Sequence, residues 1–213
     1  MRKLMTTRIG IISDTHSSTA PLAEALEIFK TENVDSIICA GDVAGYGEDE
    51  LIQTIRLLQH SDCLIVSGNH DVLTEPEIKH ADEIKHFFDS LPDFIELTIE
   101  GKRIYIVHAS PPRQQHGGIK LLDKYGNLIH EQLQIWQQKL RDNAHDVLIV
   151  GHTHQVFAEY IGNTLVINPG STLYNHSCMV LSLPDMTISR YALEHKAIIK
   201  SWNWGLLFND VNG

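Results

Sequence analysis

The chain has 213 residues, of which 43% are hydrophobic and 21% charged, and these values are ordinary for a globular protein. We expect a single domain over residues 1–213, because a chain of this length can bury one sizeable core. The net charge of −10 argues against a dedicated nucleic-acid-binding protein, since phosphate backbones require a basic surface, but bound cations would still permit a small phosphorylated substrate.

Cysteine usage and the absence of long apolar runs indicate a cytoplasmic protein with no membrane partner. No apolar run approaches the roughly 18 residues of a membrane span, and the first residues lack the apolar core of a signal peptide. Cys39, Cys63 and Cys178 are odd in number, far apart and embedded in apolar runs. We therefore expect them to be reduced thiols of the core.

The first half of the chain alternates short apolar runs with amphipathic segments. The pattern predicts strands at 8–13, 34–40 and 63–66, separated by helices at 21–32 and 48–59. This β-α-β-α-β order is typical of a parallel sheet with right-handed crossovers.

The second half consists mainly of strand pairs joined by turn sequences. The predicted turns are 100–102, 162–163 and 184–185, and a helix is predicted at 128–140 and a strand at 147–150. Alternating units followed by hairpins predict an α/β fold with two sheets packed face to face and helices outside. Near the end, Trp202, Trp204 and 206–208 are expected to pack within the domain, or alternatively to form a contact in a homo-oligomer.

Polar side chains follow five of the predicted strands at the point where each strand ends. Taken singly, these motifs are common: Asp14 and His16 also suit a turn or helix cap, and His108 alone also suits a buried core histidine. The carboxyl ends of strands in open α/β sheets form the crevice where ligands bind, so we expect the groups to converge. The motifs are Asp14-Thr15-His16, Gly41-Asp42, Gly68-Asn69-His70-Asp71, His108 and Gly151-His152-Thr153-His154.

These side chains are a ligand set for divalent metal ions. Imidazoles, carboxylates and one amide without a thiolate favour manganese, iron or zinc in an open site over a closed structural zinc site. Seven ligands are too many for one ion but suit two ions that share a carboxylate. We expect two divalent ions, with manganese favoured and iron, zinc or nickel as alternatives.

In their order and spacing, the motifs resemble the signature of the calcineurin-like metallophosphoesterase superfamily: D-x-H, G-D, G-N-H-[DE], H and G-H-x-H. The resemblance implies a four-layer α/β/β/α sandwich of two mixed β-sheets flanked by helices. It also implies that Asp42 bridges the two metals and that His70 protonates the leaving oxygen. The ligands it implies for metal one are Asp14, His16 and His154, and those for metal two are Asn69, His108 and His152.

The loop after Asp42 resembles the small bacterial and archaeal phosphodiesterase branch of this superfamily. Protein phosphatases typically continue with a second Asp and an Arg, and this chain has Gly45 and Tyr46 in those places. Arg is the natural bidentate ligand of phosphate, so its absence weakens the protein-phosphatase interpretation. Arg113 and His116, in the loop after His108, are candidates for contacting the substrate phosphate, although an ordinary solvated loop explains them equally well.

We therefore predict a phosphodiesterase in which a metal-bridging hydroxide attacks phosphorus in line and His70 acts as general acid. A phosphomonoesterase or nucleotidase with the same site is an alternative. A non-catalytic, metal-bound scaffold for protein interactions is another, of a different class. What orients His70 is left open by the sequence.

Overall fold

The structure is a computed structural model that describes residues 6–45, 50–72 and 79–202. Within these ranges the chain forms ten strands and four helices. In chain order they are β1 (Thr7–Ile12), α1 (Thr19–Thr31), β2 (Ser36–Cys39), α2 (Leu51–His60), β3 (Leu64–Ile65), α3 (Ala81–Ser90), β4 (Phe94–Ile99), β5 (Lys102–Val107), α4 (His130–Lys139), β6 (Val147–Ile149), β7 (Val156–Ile161), β8 (Thr164–Pro169), β9 (Ser177–Leu183) and β10 (Thr187–Ala192).

The first sheet has the strand order β10-β9-β1-β2-β3. Strands β1, β2 and β3 run parallel and are connected by α1 and α2, as the alternating pattern predicted. Strand β9 pairs antiparallel with β1, and β10 pairs antiparallel with β9. Because the three parallel strands share a direction, their carboxyl ends lie at the same edge of the sheet.

The second sheet has the order β4-β5-β6-β8-β7. The predicted turns at 100–102 and 162–163 close the antiparallel pairs β4–β5 and β7–β8. The central strands β5, β6 and β8 run parallel. Strand β6 is the short apolar run at 147–149, and it is buried throughout, as expected for a central strand that is covered on both faces.

The two sheets pack face to face, and helices cover both outer faces. The inner core contains Ile11 and Ile38 from the first sheet and Ile106, Ile149 and Ile167 from the second. A second cluster places α1, α2 and α3 on the outer face of the first sheet, and a third places α4 on the second sheet. The predicted four-layer sandwich of two mixed sheets is confirmed.

Helix α3 is the main element that the sequence did not predict. It buries Ile84, Phe87 and Phe88, which follow helical spacing, but its other residues are mostly polar and it has only ten residues. A single apolar stripe of three residues is too short to distinguish a helix from a loop by periodicity alone. The start of the predicted helix at 48–59 lies partly outside the described residues, and α2 begins at Leu51.

The three cysteines are free, with Cys39 and Cys178 buried and Cys63 half-buried. Burial raises the pKa of all three thiols, that of Cys178 to about 12, so they remain protonated. In the described part of the chain, no helix is long and apolar enough to cross a membrane. Trp202 lies beside the site described below, whereas Trp204 and 206–208 lie outside the described residues.

Candidate metal centre

The first sheet supplies the first half of the site from the ends of its parallel strands. Asp14 and His16 follow β1, Asp42 follows β2, and Asn69 and His70 follow β3. Asp14 and Asp42 have φ values of 52° and 53°, so the chain turns sharply in the left-handed region directly after each strand. This turn places both carboxylates at the sheet edge.

The second sheet supplies the other half from the same edge of the sandwich. His108 follows β5, and His152 and His154 follow the neighbouring parallel strand β6. His152 and His154 also have positive φ values, of 64° and 48°. The Gly-His-Thr-His sequence is therefore a strand end that turns two imidazoles toward the first sheet.

Asp14, His16 and His154 form one cluster of ligand atoms, all within 4.8 Å of one another. The Nε2 atoms of the two imidazoles are 3.0 Å apart, and Nε2 of His154 lies 3.3 Å from Oδ1 of Asp14. On the other side of its ring, His16 donates from Nδ1 to the carbonyl oxygen of Ala44 at 3.1 Å. That hydrogen bond directs Nε2 of His16 into the cluster.

Asp42, His108 and His152 form a second cluster of the same kind. Nε2 of His108 lies 3.2 Å from Oδ2 of Asp42 and 3.1 Å from Oδ1 of Asn69. The same Asn69 oxygen lies 2.8 Å from Nδ1 of His152. His108 donates from Nδ1 to the carbonyl of Ala40 at 2.7 Å, which orients its ring.

Backbone hydrogen bonds join the two clusters to each other and to His70. The backbone N–H of His152 donates to both carboxylate oxygens of Asp14, each at 3.1 Å. The backbone N–H of His70 donates to Oδ1 of Asp42 at 2.9 Å. The ring of His70 lies edge-on to that of His16, with 5.4 Å between the centroids. All the residues that the sequence predicted as ligands, and His70, are thus brought together.

Burial and mutual charge set the ionisation of the cluster. Burial alone would raise the pKa of the Asp14 carboxyl, but the imidazoles of His154, His108 and His16 hold it well below its ordinary value. Burial likewise opposes charge on His108, but its hydrogen bond to Asp42 raises the pKa to about 9. Burial and the charge of His108 lower the pKa of His152 to about 4, so its imidazole is neutral at neutral pH.

The donor set fits two divalent cations. Each cluster contributes a buried carboxylate and two imidazoles, and Asn69 adds an amide oxygen to the second cluster. Such mixed nitrogen and oxygen donors suit manganese, iron, nickel or zinc, and the three free thiols lie elsewhere in the core. Hydrogen bonds from the outer ring nitrogens to backbone carbonyls are the usual support of metal-binding histidines.

The glycines of two motifs are explained by close approaches between strand ends. A Cβ atom on Gly68 would lie 2.1 Å from Oδ1 of Asp42, and one on Gly151 would lie 1.9 Å from Oγ of Ser13. Side chains at these positions would push the loops apart. The glycines therefore permit the clusters to be this compact.

Asp71 connects the loops that carry Asp42 and His70. Its buried carboxylate accepts the backbone N–H of Ala44 at 2.9 Å and that of Gly68 at 2.8 Å. Burial and the charge of Asp42 raise its pKa to about 6. The sequence left open what orients His70. The Asp71 carboxylate and the hydrogen bond from the His70 N–H to Asp42 together fix the backbone that carries it.

An aromatic stack supports the first cluster and was not predicted. Tyr174 stacks on His154 with 5.3 Å between centroids and also contacts the His16 ring at 5.3 Å. Trp202 stacks on the same tyrosine at 5.2 Å. No local motif marks Tyr174, because it reaches the site from the segment between β8 and β9.

Both clusters open into a cavity of about 440 Å³. Its walls include the predicted residues His70, Asn69 and Asp42, together with residues that sequence reasoning missed. The additional lining residues are Lys120, Leu122, Lys124, Thr153, Gln155, Ser201 and Trp202. Thr153 and Gln155 lie beside the predicted ligands in the chain, whereas no motif in the sequence marks Lys120, Leu122 or Lys124.

The two candidate substrate contacts lie in different places. The ring of His116 lies edge-on to that of His152, with 6.1 Å between centroids, which places it beside the second cluster. The guanidinium of Arg113 lies 4.5 Å above the Phe94 ring, and Arg113 is not among the residues that line the cavity. His116 is not among the lining residues either, so contact of these two residues with the substrate stays a prediction. Tyr46, in the loop after Asp42, lies outside the described residues.

Comparison with known proteins agrees with this geometry. Residues 7–182 match the family described as the calcineurin-like phosphoesterase superfamily domain. A phosphodiesterase of Methanocaldococcus jannaschii is 28% identical over 167 residues, which cover 76% of this chain and 82% of the relative. A probable metallophosphoesterase of the same organism is 30% identical, covering 83% of this chain and 76% of the relative.

A solved structure described as a novel archaeal phosphodiesterase has the same fold. It aligns with a TM-score of 0.60 at 23% identity, covering 88% of this chain and 100% of the other.

The Asp71 carboxylate provides a test of how the loops are held. We expect Asp71→Asn to lower the free energy of unfolding by about 1–3 kcal/mol, because the amide NH₂ faces one of the two buried N–H donors and leaves it without an acceptor. Urea unfolding in the presence of a chelator measures this without a contribution from metal. The exposed residue Asp142 provides the control, since Asp142→Asn should change the value by less than about 0.5 kcal/mol. Equal unfolding midpoints for Asp71→Asn and the wild type would contradict the assignment.

Proposed function

The chain belongs to the calcineurin-like phosphoesterase superfamily of metal-dependent phosphoester hydrolases, and we propose that it hydrolyses phosphodiesters with two divalent cations and with His70 as general acid. One observation carries the proposal: two three-residue donor clusters lie side by side at the strand ends, and His70 lines the same cavity.

Under this proposal the two clusters hold one cation each. Asp14, His16 and His154 bind the first. Asn69, His108 and His152 bind the second, and the carboxylate of Asp42 serves both. The position of Asp42 supports this shared role. Asp42 forms a donor cluster with His108 and His152, and it lines the cavity together with His16 and His154.

The cations, when bound, would lower the pKa of a coordinated water and neutralise charge on the phosphoryl oxygens. We propose manganese as the resident metal, with iron, zinc or nickel as alternatives that the same donors accept. The chain's own contribution is to hold the donors rigidly, through the hydrogen bonds to Ala40 and Ala44, before the substrate arrives.

Under this proposal His70 transfers a proton to the leaving oxygen, and its position supports that role. Its backbone is fixed by Asp42, and its ring contacts His16 and faces the cavity. It is therefore adjacent to the donor clusters without belonging to either of them. A histidine in that position protonates the departing alkoxide and makes it a better leaving group.

Three observations favour a diester over a monoester. Gly45 occupies the place where protein phosphatases typically carry an acidic residue, and a Cβ atom there would lie 2.4 Å from the carbonyl oxygen of His16. A relative that is 28% identical over most of its length is named a phosphodiesterase. A monoester carries one more negative charge at phosphorus, and an arginine that would bind it bidentately is not among the described residues of the cavity.

Model substrates test the proposal directly. We expect the purified chain with Mn²⁺ to hydrolyse bis-p-nitrophenyl phosphate with a larger kcat/KM than p-nitrophenyl phosphate, and a chelator to abolish both activities. The reverse ratio would identify a phosphomonoesterase. Complete inactivity of a protein that retains two equivalents of metal would indicate a non-catalytic scaffold and would refute the enzyme.

The role of His70 predicts a dependence on the leaving group. We expect His70→Ala to slow hydrolysis of a dinucleoside monophosphate, which releases an alkoxide, by about 10²–10⁴-fold. Hydrolysis of bis-p-nitrophenyl phosphate should fall much less, because p-nitrophenolate leaves without a proton. His60→Ala, at an exposed histidine that ends α2, serves as the control. Equal losses on both substrates would exclude His70 as the proton donor.

The shared carboxylate predicts the metal content of a variant. Asp42→Asn keeps the size of the side chain and an oxygen for the His70 N–H but removes the negative charge. We expect both equivalents of metal to be lost together in elemental analysis after gel filtration. The exposed Asp62→Asn variant should retain both. Loss of one equivalent with full retention of the other would show that Asp42 serves one cation only.

A further inference from the structure

The cavity has a cationic part next to the donor clusters. Lys120 and Lys124 line the cavity that His70 and both clusters also line. Building on the proposed function, we propose that these two lysines bind a second anionic group, so that the substrate is a phosphodiester that carries a further phosphate, such as a phosphorylated nucleotide ester.

The charge of the two lysines is not neutralised by neighbouring acids. In the ranges that the structure describes, neither ammonium group lies within ion-pair distance of a carboxylate, although the chain has 27 acidic and 17 basic residues. The nearest acid in sequence, Asp123, accepts the backbone N–H groups of Tyr125 and Asn127, each at 2.8 Å. The Asp123 carboxylate thus accepts hydrogen bonds within its own turn and forms no ion pair with either lysine.

The segment that carries Lys120 is fixed to the metal-binding loop. Gln155 accepts the N–H groups of Leu121 and Leu122 at 2.8 and 3.0 Å, and its amide donates to the Leu122 carbonyl at 2.8 Å. Thr153 donates from Oγ1 to the carbonyl of Ile119 at 3.1 Å. Thr153 and Gln155 are themselves buried and flank the ligand His154 in the chain. The lysines therefore sit on a backbone whose position relative to the metal site is set by side-chain hydrogen bonds.

The rest of the wall suits an organic group between the two phosphates. Trp202, stacked on Tyr174, and Leu122 offer apolar surface to the cavity. A volume of about 440 Å³ is in the range of clefts that hold whole small molecules, about 300–1,000 Å³, and exceeds what one phosphoryl group needs. A sugar that carries an aromatic base would fill a cleft of this size and would stack on its aromatic wall.

A matched pair of chromogenic esters tests the inference. The first is the p-nitrophenyl ester of thymidine 5′-monophosphate, and the second is the same compound with an additional 3′-phosphate. We expect the wild type to prefer the 3′-phosphorylated ester by about tenfold in kcat/KM, the size given by two partly solvated charge pairs. In the double variant Lys120→Gln/Lys124→Gln, the ratio of the two kcat/KM values should fall to about one.

The controls separate this inference from the proposed function. Lys30→Gln, at an exposed lysine of α1 that pairs with Glu27, should leave the wild-type ratio in place. A wild type that hydrolyses bis-p-nitrophenyl phosphate but prefers neither nucleotide ester would overturn the lysine site alone. A preference that survives in the double variant would also overturn it. No hydrolysis of any diester would overturn the proposed function and this inference with it.

Discussion

The site depends on the burial of two carboxylates at the junction of two sheets. Asp14 is fully buried and Asp42 is 2% exposed. Buried carboxylates are costly unless positive charge and hydrogen-bond donors surround them. Here the backbone N–H groups of His152 and His70 supply donors, and the neighbouring imidazoles supply polarity and charge. Two buried carboxylates this close to imidazoles and an amide oxygen would also be stabilised by a pair of divalent cations.

The sandwich architecture explains why the groups can come this close. Each sheet ends its parallel strands at the same edge, and the isoleucine-rich core between the sheets holds the two edges in register. Close-packed interiors deform little, so the separation between Asp42 and His108 is determined by the core beneath them. Because residues 68 and 151 are glycines, no side chain at either position clashes with the neighbouring strand ends. The fold thus supplies a rigid frame, and the loops supply the chemistry.

Much of the fold and of the candidate donor clusters could be predicted because the information is local. A strand end such as Gly41-Asp42 carries its candidate ligand within two residues of a recognisable apolar run. Because parallel strands end at one edge of the sheet, the candidate ligands of several strands are predicted to lie together. Helix α3 was missed because three buried residues among polar neighbours give little periodicity. Tyr174 and Gln155 were missed because their roles depend on contacts with segments 20 or more residues away, such as the bond from Leu121 to Gln155 across 34 residues. Contacts of this kind cannot be derived from spacing.

The loop at 152–155 has two functions that depend on different side chains. His152 and His154 belong to the donor clusters, whereas Thr153 and Gln155 bind the segment at 119–122. The same four residues therefore determine where the donor clusters lie and where the cavity wall begins. Changes in the exposed side chains at 120 and 124 would leave these hydrogen bonds intact, because the bonds involve backbone atoms only on that segment. Under the proposed function, substrate preference would thus be separable from metal binding, because the wall can vary in charge while its position remains fixed to the donor clusters.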